Sequence, residues 1–281
     1  MNLKIIGIAA LLAAGSAALS WGGEARSAYD EALKLHKAGK IKEAIVAYDK
    51  AIKSNPGLAR AFVGRGEAYA RLGQQERAIK DQDRAVKLNP ALGDAYYYRA
   101  KAYDELKQHE RAIKDYDEVI RLDAKNSNAY RQRGSAYYAL GQFDKAIPDF
   151  TQAIGLDPKD AAAYYERGLA ERGLGRNEPA VKDYTMALGL NPKNAKIYSN
   201  RANAYSLLGQ YDRALQDYDT ALKIDPRNAL IYANRGFVKL SQGNHAEADK
   251  DFQRAVELDP SLKKKLVSDI GARKSTAPNA E

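Results

Sequence analysis

The sequence predicts an all-α chain of stacked, repeated helix pairs, and three observations carry that prediction. The first is a ruler. Pro56, Pro90, Pro158, Pro192, Pro226 and Pro260 fall on a grid of 34 residues, with Ala124 in the one slot that lacks proline. A fixed period of this length is what stacked repeat architectures leave in a sequence. The second is a row of glycines, Gly39, Gly73, Gly141, Gly175, Gly209 and Gly243, placed where a residue free to adopt positive φ can end a helix. The third is a set of small residues. Ala44, Ala78, Ala112, Ala146, Ala180, Ala214 and Ala248 hold one position in all seven periods, as close helix crossings require.

Taken from the start, residues 1–23 read as a cleavable secretory leader. Lys4 supplies the positive end, Ile5 to Leu19 is an uncharged apolar run, and Ala18-Leu19-Ser20 resembles the small-residue pattern that signal peptidase accepts. Cleavage is expected between Ser20 and Glu24, which places the protein in the periplasm or outside the cell. An uncleaved leader would anchor it to the membrane instead. Setting each proline slot as position 32 then gives seven units: 25–58, 59–92, 93–126, 127–160, 161–194, 195–228 and 229–262. Positions 1–14 and 18–31 of each are predicted helices, joined by the glycine turn. Lys107 replaces that glycine in the third unit, so an altered or strained turn is expected there. Pro179 falls in the first turn of a second helix, where its missing N–H is tolerated. Pro148 lies further in, and its helix is expected to start late or bend. Asp249 in the last unit stands where the others carry an aliphatic residue, which suits a terminal repeat facing water. Residues 263–270, with Leu266, Val267 and Ile270, are expected to form a capping helix, and residues 271–281 a disordered tail.

The landmarks resemble those of the tetratricopeptide repeat, a helix-turn-helix unit of this length. The close-approach position holds Ala32, Gly66, Ala100, Gly134, Gly168, Ala202 and Gly236. Tyr48, Tyr116, Phe150, Tyr184, Tyr218 and Phe252 supply the bulk beside it, with Gln82 as the exception. The resemblance covers residues 25–262. It implies a right-handed α-solenoid of seven repeats closed by the C-terminal cap, with a concave groove lined by the first helices.

Charge is distributed in the same register. Arg65, Arg99, Arg133, Arg167, Arg201 and Arg235 occupy position 7 of units two to seven, and Asp81, Asp115, Asp149, Asp183, Asp217 and Asp251 occupy position 23. The first unit lacks both, having Glu31 and Ala47. Residues that appear and vanish together are expected to be internal ion pairs, within a unit or between neighbours. The formal net charge is +9, yet 36 acidic residues are interspersed among 45 basic ones, which argues against nucleic acid. An alternative use of that charge is a polyanion or an anionic membrane surface.

No catalytic constellation is visible, and the chain reads as non-enzymatic with no cofactor. It has no cysteine, and its three histidines, His36, His109 and His245, have no second metal ligand one helical turn away. The glycines recur once per unit and do not cluster as a phosphate loop does. Function is therefore expected from the lining of the stack, which would hold a peptide segment or partner protein as a scaffold in cell-envelope assembly. Positions 2, 5, 9 and 12 of each first helix make one stripe. In the central units that stripe displays Tyr97, Lys101, Arg131, Tyr138, Tyr165 and Arg172, residue types favoured at binding hot spots. A second pattern is a partial carboxylate clamp. Some family members grip a peptide C-terminus with five residues, and Asn203, Asn234 and Lys264 match three of those positions. Ser199 and Ser268 stand where the remaining Lys and Arg belong.

Overall fold

The computed structural model describes residues 23–276, and every regular element among them is an α-helix. The expected leader falls on residues that lie outside the described ones, apart from Gly23. Among the described residues two compact units are present and are treated separately, one ending at Lys107 and the other beginning at Gln108.

The first unit contains α1 (Gly23–Lys37), α2 (Ile41–Ser54), α3 (Ala59–Arg71), α4 (Gln75–Leu88) and α5 (Gly93–Glu105). The second contains α6 (His109–Leu122), α7 (Ser127–Ala139), α8 (Phe143–Leu156), α9 (Ala161–Gly173) and α10 (Asn177–Leu190). It continues with α11 (Ala195–Leu207), α12 (Tyr211–Ile224), α13 (Ala229–Ser241), α14 (His245–Leu258) and α15 (Leu262–Thr276). Consecutive helices pack as antiparallel pairs, and each second helix also packs on the next first helix of its unit.

Two turn types set this register. After α3, the Gln74 N–H reaches the Tyr69 carbonyl at 2.9 Å and the Gly73 N–H reaches Ala70 at 3.0 Å. That crossed pair of bonds closes the last helical turn and needs a left-handed residue, which Gly73 supplies at φ 74°. Lys107 adopts the same conformation at φ 59°. The expected alteration of that turn is thus a strained residue inside an unaltered shape, with a strain on the order of 1 kcal/mol. The second turn type follows the second helices. After α2, α4, α6, α8, α12 and α14 an Asn or Asp side chain accepts from the N–H two residues on, as in Asn89 with Ala91 at 3.0 Å. Asp123 does the same with Lys125 at 3.0 Å, so Ala124 keeps the turn without proline.

The crossings depend on size. The seven invariant alanines are all at most 1% exposed. A Cβ built on Gly168 would stand 2.7 Å from the Tyr184 ring, and one on Gly236 would stand 2.7 Å from Phe252. One expectation is narrowed and one corrected. The helix containing Pro148 begins at Phe143, in register with His109 and Tyr211 of the sister helices, so of the late start or bend expected there the late start does not occur. The helix expected over 263–270 runs on through Gly271 to Thr276. Ala272, Arg273 and Lys274 are strong helix formers and offset the roughly 1 kcal/mol disadvantage of one glycine. Asp249 is exposed, as the terminal position suggests.

Candidate functional site

The position-7 arginines show what this scaffold does with charge when it saturates it. Arg133 donates through Nε and Nη2 to both carboxylate oxygens of Asp149, at 2.8 and 2.7 Å, and through Nη1 to Asp117 at 2.6 Å. Arg201 makes the same fork to Asp217 and a third bond to the Thr185 hydroxyl at 2.9 Å. Arg65, Arg167 and Arg235 repeat the arrangement with Asp81 and Asp49, with Asp183 and Thr151, and with Asp251 and Asp219. Each arginine therefore ties its own second helix to that of the preceding repeat. Position-4 tyrosines cover the guanidinium planes, Tyr198 over Arg201 at 5.6 Å and Tyr232 over Arg235 at 5.5 Å. The chain has 19 tyrosines against 5 phenylalanines, and much of that tyrosine is structural for this reason.

The stripe residues are placed differently. Within the first compact unit, Tyr97 packs edge-on against Tyr98 at 5.6 Å, and the exposed Lys101 ammonium lies 5.9 Å over the Tyr97 ring. In the second unit Arg131 is engaged by the chain's own carboxylates, with Nε 3.0 Å from Asp160 and Nη1 3.5 Å from Glu166. Asp160 also caps α9 by accepting from the Ala162 and Ala163 N–H groups. The Ser135 hydroxyl donates to Glu166 at 2.6 Å. Burial raises the Glu166 carboxyl above its usual range, opposed by the Ser135 bond and the Arg131 charge.

Tyr138, Tyr165 and Arg172 form a second group on the same first helices. The Tyr165 hydroxyl accepts from Asn200 Nδ2 at 3.0 Å, linking α9 to α11, and the Lys196 ammonium lies 5.6 Å over its ring. Tyr138 packs on Phe143 at 5.2 Å. Burial pushes the Tyr165 hydroxyl up to about 12, with the nearby Arg172 charge pulling the other way. Arg172 has no hydrogen-bond or ion-pair partner among the described residues.

The three clamp residues do different things. Asn203 accepts through Oδ1 from the Tyr218 hydroxyl and so satisfies a buried core group. Asn234 is half-buried on α13, and Lys264 is exposed on α15. Sequence reasoning missed Glu166 and Asn200, which share position 6. That position holds Asp30, Gly64, Tyr98, Gln132, Glu166, Asn200 and Asn234 in turn, so no periodic signal marks it. It also missed position 25, where either Asp or Thr serves as the second acceptor of the arginines. Among the described residues no group of three His, Asp or Glu side chains could hold a metal ion, and no helix is long and apolar enough to cross a membrane.

Comparison with known proteins now bears on this arrangement. No curated protein matches the chain. Among solved structures, YrrB, described as a tetratricopeptide repeat protein with an unusual peptide-binding site, is 23% identical. The match covers 66% of this chain and 95% of that one, with a TM-score of 0.59. The MamA protein is 30% identical over 61% of this chain and 94% of its own, with a TM-score of 0.55. The C-terminal part of a tetratricopeptide repeat-containing protein from Cytophaga hutchinsonii is 21% identical over 85% and 98%, with a TM-score of 0.69. Tetratricopeptide repeat models match residues 59–92, 131–195, 195–228 and 229–262, and a further model of this repeat matches 32–73 and 102–141. With the helix pairs, the glycine crossings and these matches in agreement, the chain belongs to the tetratricopeptide repeat family of protein–protein interaction scaffolds.

Proposed function

We propose that this scaffold holds a peptide segment of a partner protein against the first-helix face of α7, α9 and α11. The observation that carries the reading is that Tyr138 and Tyr165 remain half-exposed on the face where those first helices present their side chains. Rigid aromatic rings with polar tips bury large area at small entropic cost, which suits recognition of an extended segment. YrrB, which shares the fold and is described as having an unusual peptide-binding site, supports peptide holding by a scaffold of this kind. The leader read in residues 1–23 points to assembly work at the cell envelope. Its test is a fusion of residues 1–24 to a reporter, with mass spectrometry of the exported product expected to show a cut between Ser20 and Glu24.

The binding reading is tested with a degenerate decapeptide library on immobilised protein. The wild type is expected to retain peptide pools. The Tyr138→Ala, Tyr165→Ala double variant is expected to lose at least about tenfold in retention at unchanged helicity, as loss of hot-spot aromatics does. Equal retention by both proteins would sink the reading. Retention that collapses between low and physiological salt would favour the competing use of the net positive charge on a polyanion.

A further inference from the structure

The position-24 tyrosines Tyr48, Tyr116, Tyr184 and Tyr218 are all buried, and the chain satisfies the Tyr48 and Tyr218 hydroxyls from within their own repeats. The Tyr48 hydroxyl is hydrogen-bonded to His36 Nδ1 at 3.3 Å, with His36 at position 12 of the first unit. The Tyr218 hydroxyl donates to Asn203, at position 9 of the sixth. The fifth unit breaks the rule. Its position 9 is Leu169 and its position 12 is Arg172, neither of which offers an acceptor. Tyr184 is fully buried, and its hydroxyl has no partner.

Geometry places the ring that carries that hydroxyl. Tyr165, Gly168 and Arg172 are spaced 3 and 4 residues apart and share one face of α9. The Tyr184 ring packs against Gly168, so it lies buried beneath that face, next to the turns that carry Tyr165 and Arg172. Its ring centroid is 5.9 Å from that of Tyr165. The Arg172 charge is close enough to act on the hydroxyls of Tyr165, Tyr184 and Tyr218. The Tyr165 oxygen already accepts from Asn200, which leaves its proton to donate. The cluster thus holds a guanidinium and two phenolic protons with no acceptor of the chain's own, in a protein whose other repeat-position arginines are saturated.

We propose that Arg172, Tyr165 and Tyr184 form an anchor for one carboxylate of an acidic side chain in the bound peptide. Three convergent donors suit a carboxylate, which accepts on both oxygens and binds a guanidinium through two parallel bonds. The anchor lies outside the positions of the partial clamp, and it rests on the peptide-holding reading above.

The test divides the decapeptide library into pools with a central Glu or a central Gln. The wild type is expected to prefer the Glu pool about tenfold, the value of one added charge-assisted contact. Arg172→Gln should retain both pools equally, Arg172→Lys should recover part of the preference, and Tyr184→Phe should reduce it while keeping the ring on Gly168. Circular dichroism controls for folding. Pools retained by the wild type without a Glu preference would overturn the anchor and leave the groove standing. Pools retained by neither would overturn both. A preference that survives Arg172→Gln would also overturn the anchor, as would a variant that loses only its binding to phosphatidylglycerol vesicles.

Discussion

His36 is the residue whose environment departs furthest from its neighbours in register. It is 2% exposed, bonded to Tyr48 through Nδ1, and its Nε2 stands 3.7 Å from Glu67 with no hydrogen-bond partner. Burial lowers its pKa below 6.5, and Glu67 offsets only part of that effect. The folded state therefore keeps the ring neutral where the unfolded chain already protonates. Stability from this site is fully present above the unfolded value of about 6.5 and is lost as pH falls toward the lower folded value. Urea midpoints of the first compact unit should fall between pH 7.5 and 5.5, and His36→Asn should flatten that slope. A wild-type slope that persists in the variant would assign the effect elsewhere. Single residues also explain what could be read in advance. Gly168 and Ala180 were legible because size at a crossing repeats. Arg172 looked like Arg131 in the sequence, and only coordinates show one paired with Asp160 and Glu166 while the other is not.

At the scale of the element, the hydrophobic and small-residue pattern specified nearly every helix, because crossings and turns obey the same rule in each repeat. The departures were misjudged because a regular neighbourhood absorbs them. Pro148 is exposed on the outer side of α8, and the helix accepts it by losing one N–H that would otherwise meet the Asp144 carbonyl. The sister helices carry Lys80, Lys114 and Lys182 at that position. Pro148→Lys should therefore raise stability, by up to about 3 kcal/mol, with no change in fold. A thermal midpoint that stays the same or drops would mean the proline is needed where it stands. The arginine ladder was half legible for a related reason. Its aspartate at position 23 is constant, whereas the acceptor at position 25 is Asp49, Asp83, Asp117, Thr151, Thr185 or Asp219, and two residue types hide one role.

For the molecule as a whole, the two compact units meet in sequence at Lys107, where the left-handed lysine stands in place of glycine. Repeat stacks open by neighbouring segments, and amide exchange reports such segments separately. Protection at low denaturant is expected to sort into two classes that change between Lys107 and Gln108. Uniform protection across residues 59–194 would contradict this. The ladder has a different consequence at this scale. Each arginine looks 16 residues forward and 16 back, so one whole repeat can leave the chain without rewiring the rest of the ladder. Excising residues 161–194 presents Arg201 with Thr151 in place of Thr185, the same hydroxyl in the same register. The repeat that carries Tyr165, Arg172 and Tyr184 is thus an exchangeable cassette: the proposed anchor would be lost, duplicated or swapped in a single genetic step, while the arginine fastening does not register the change.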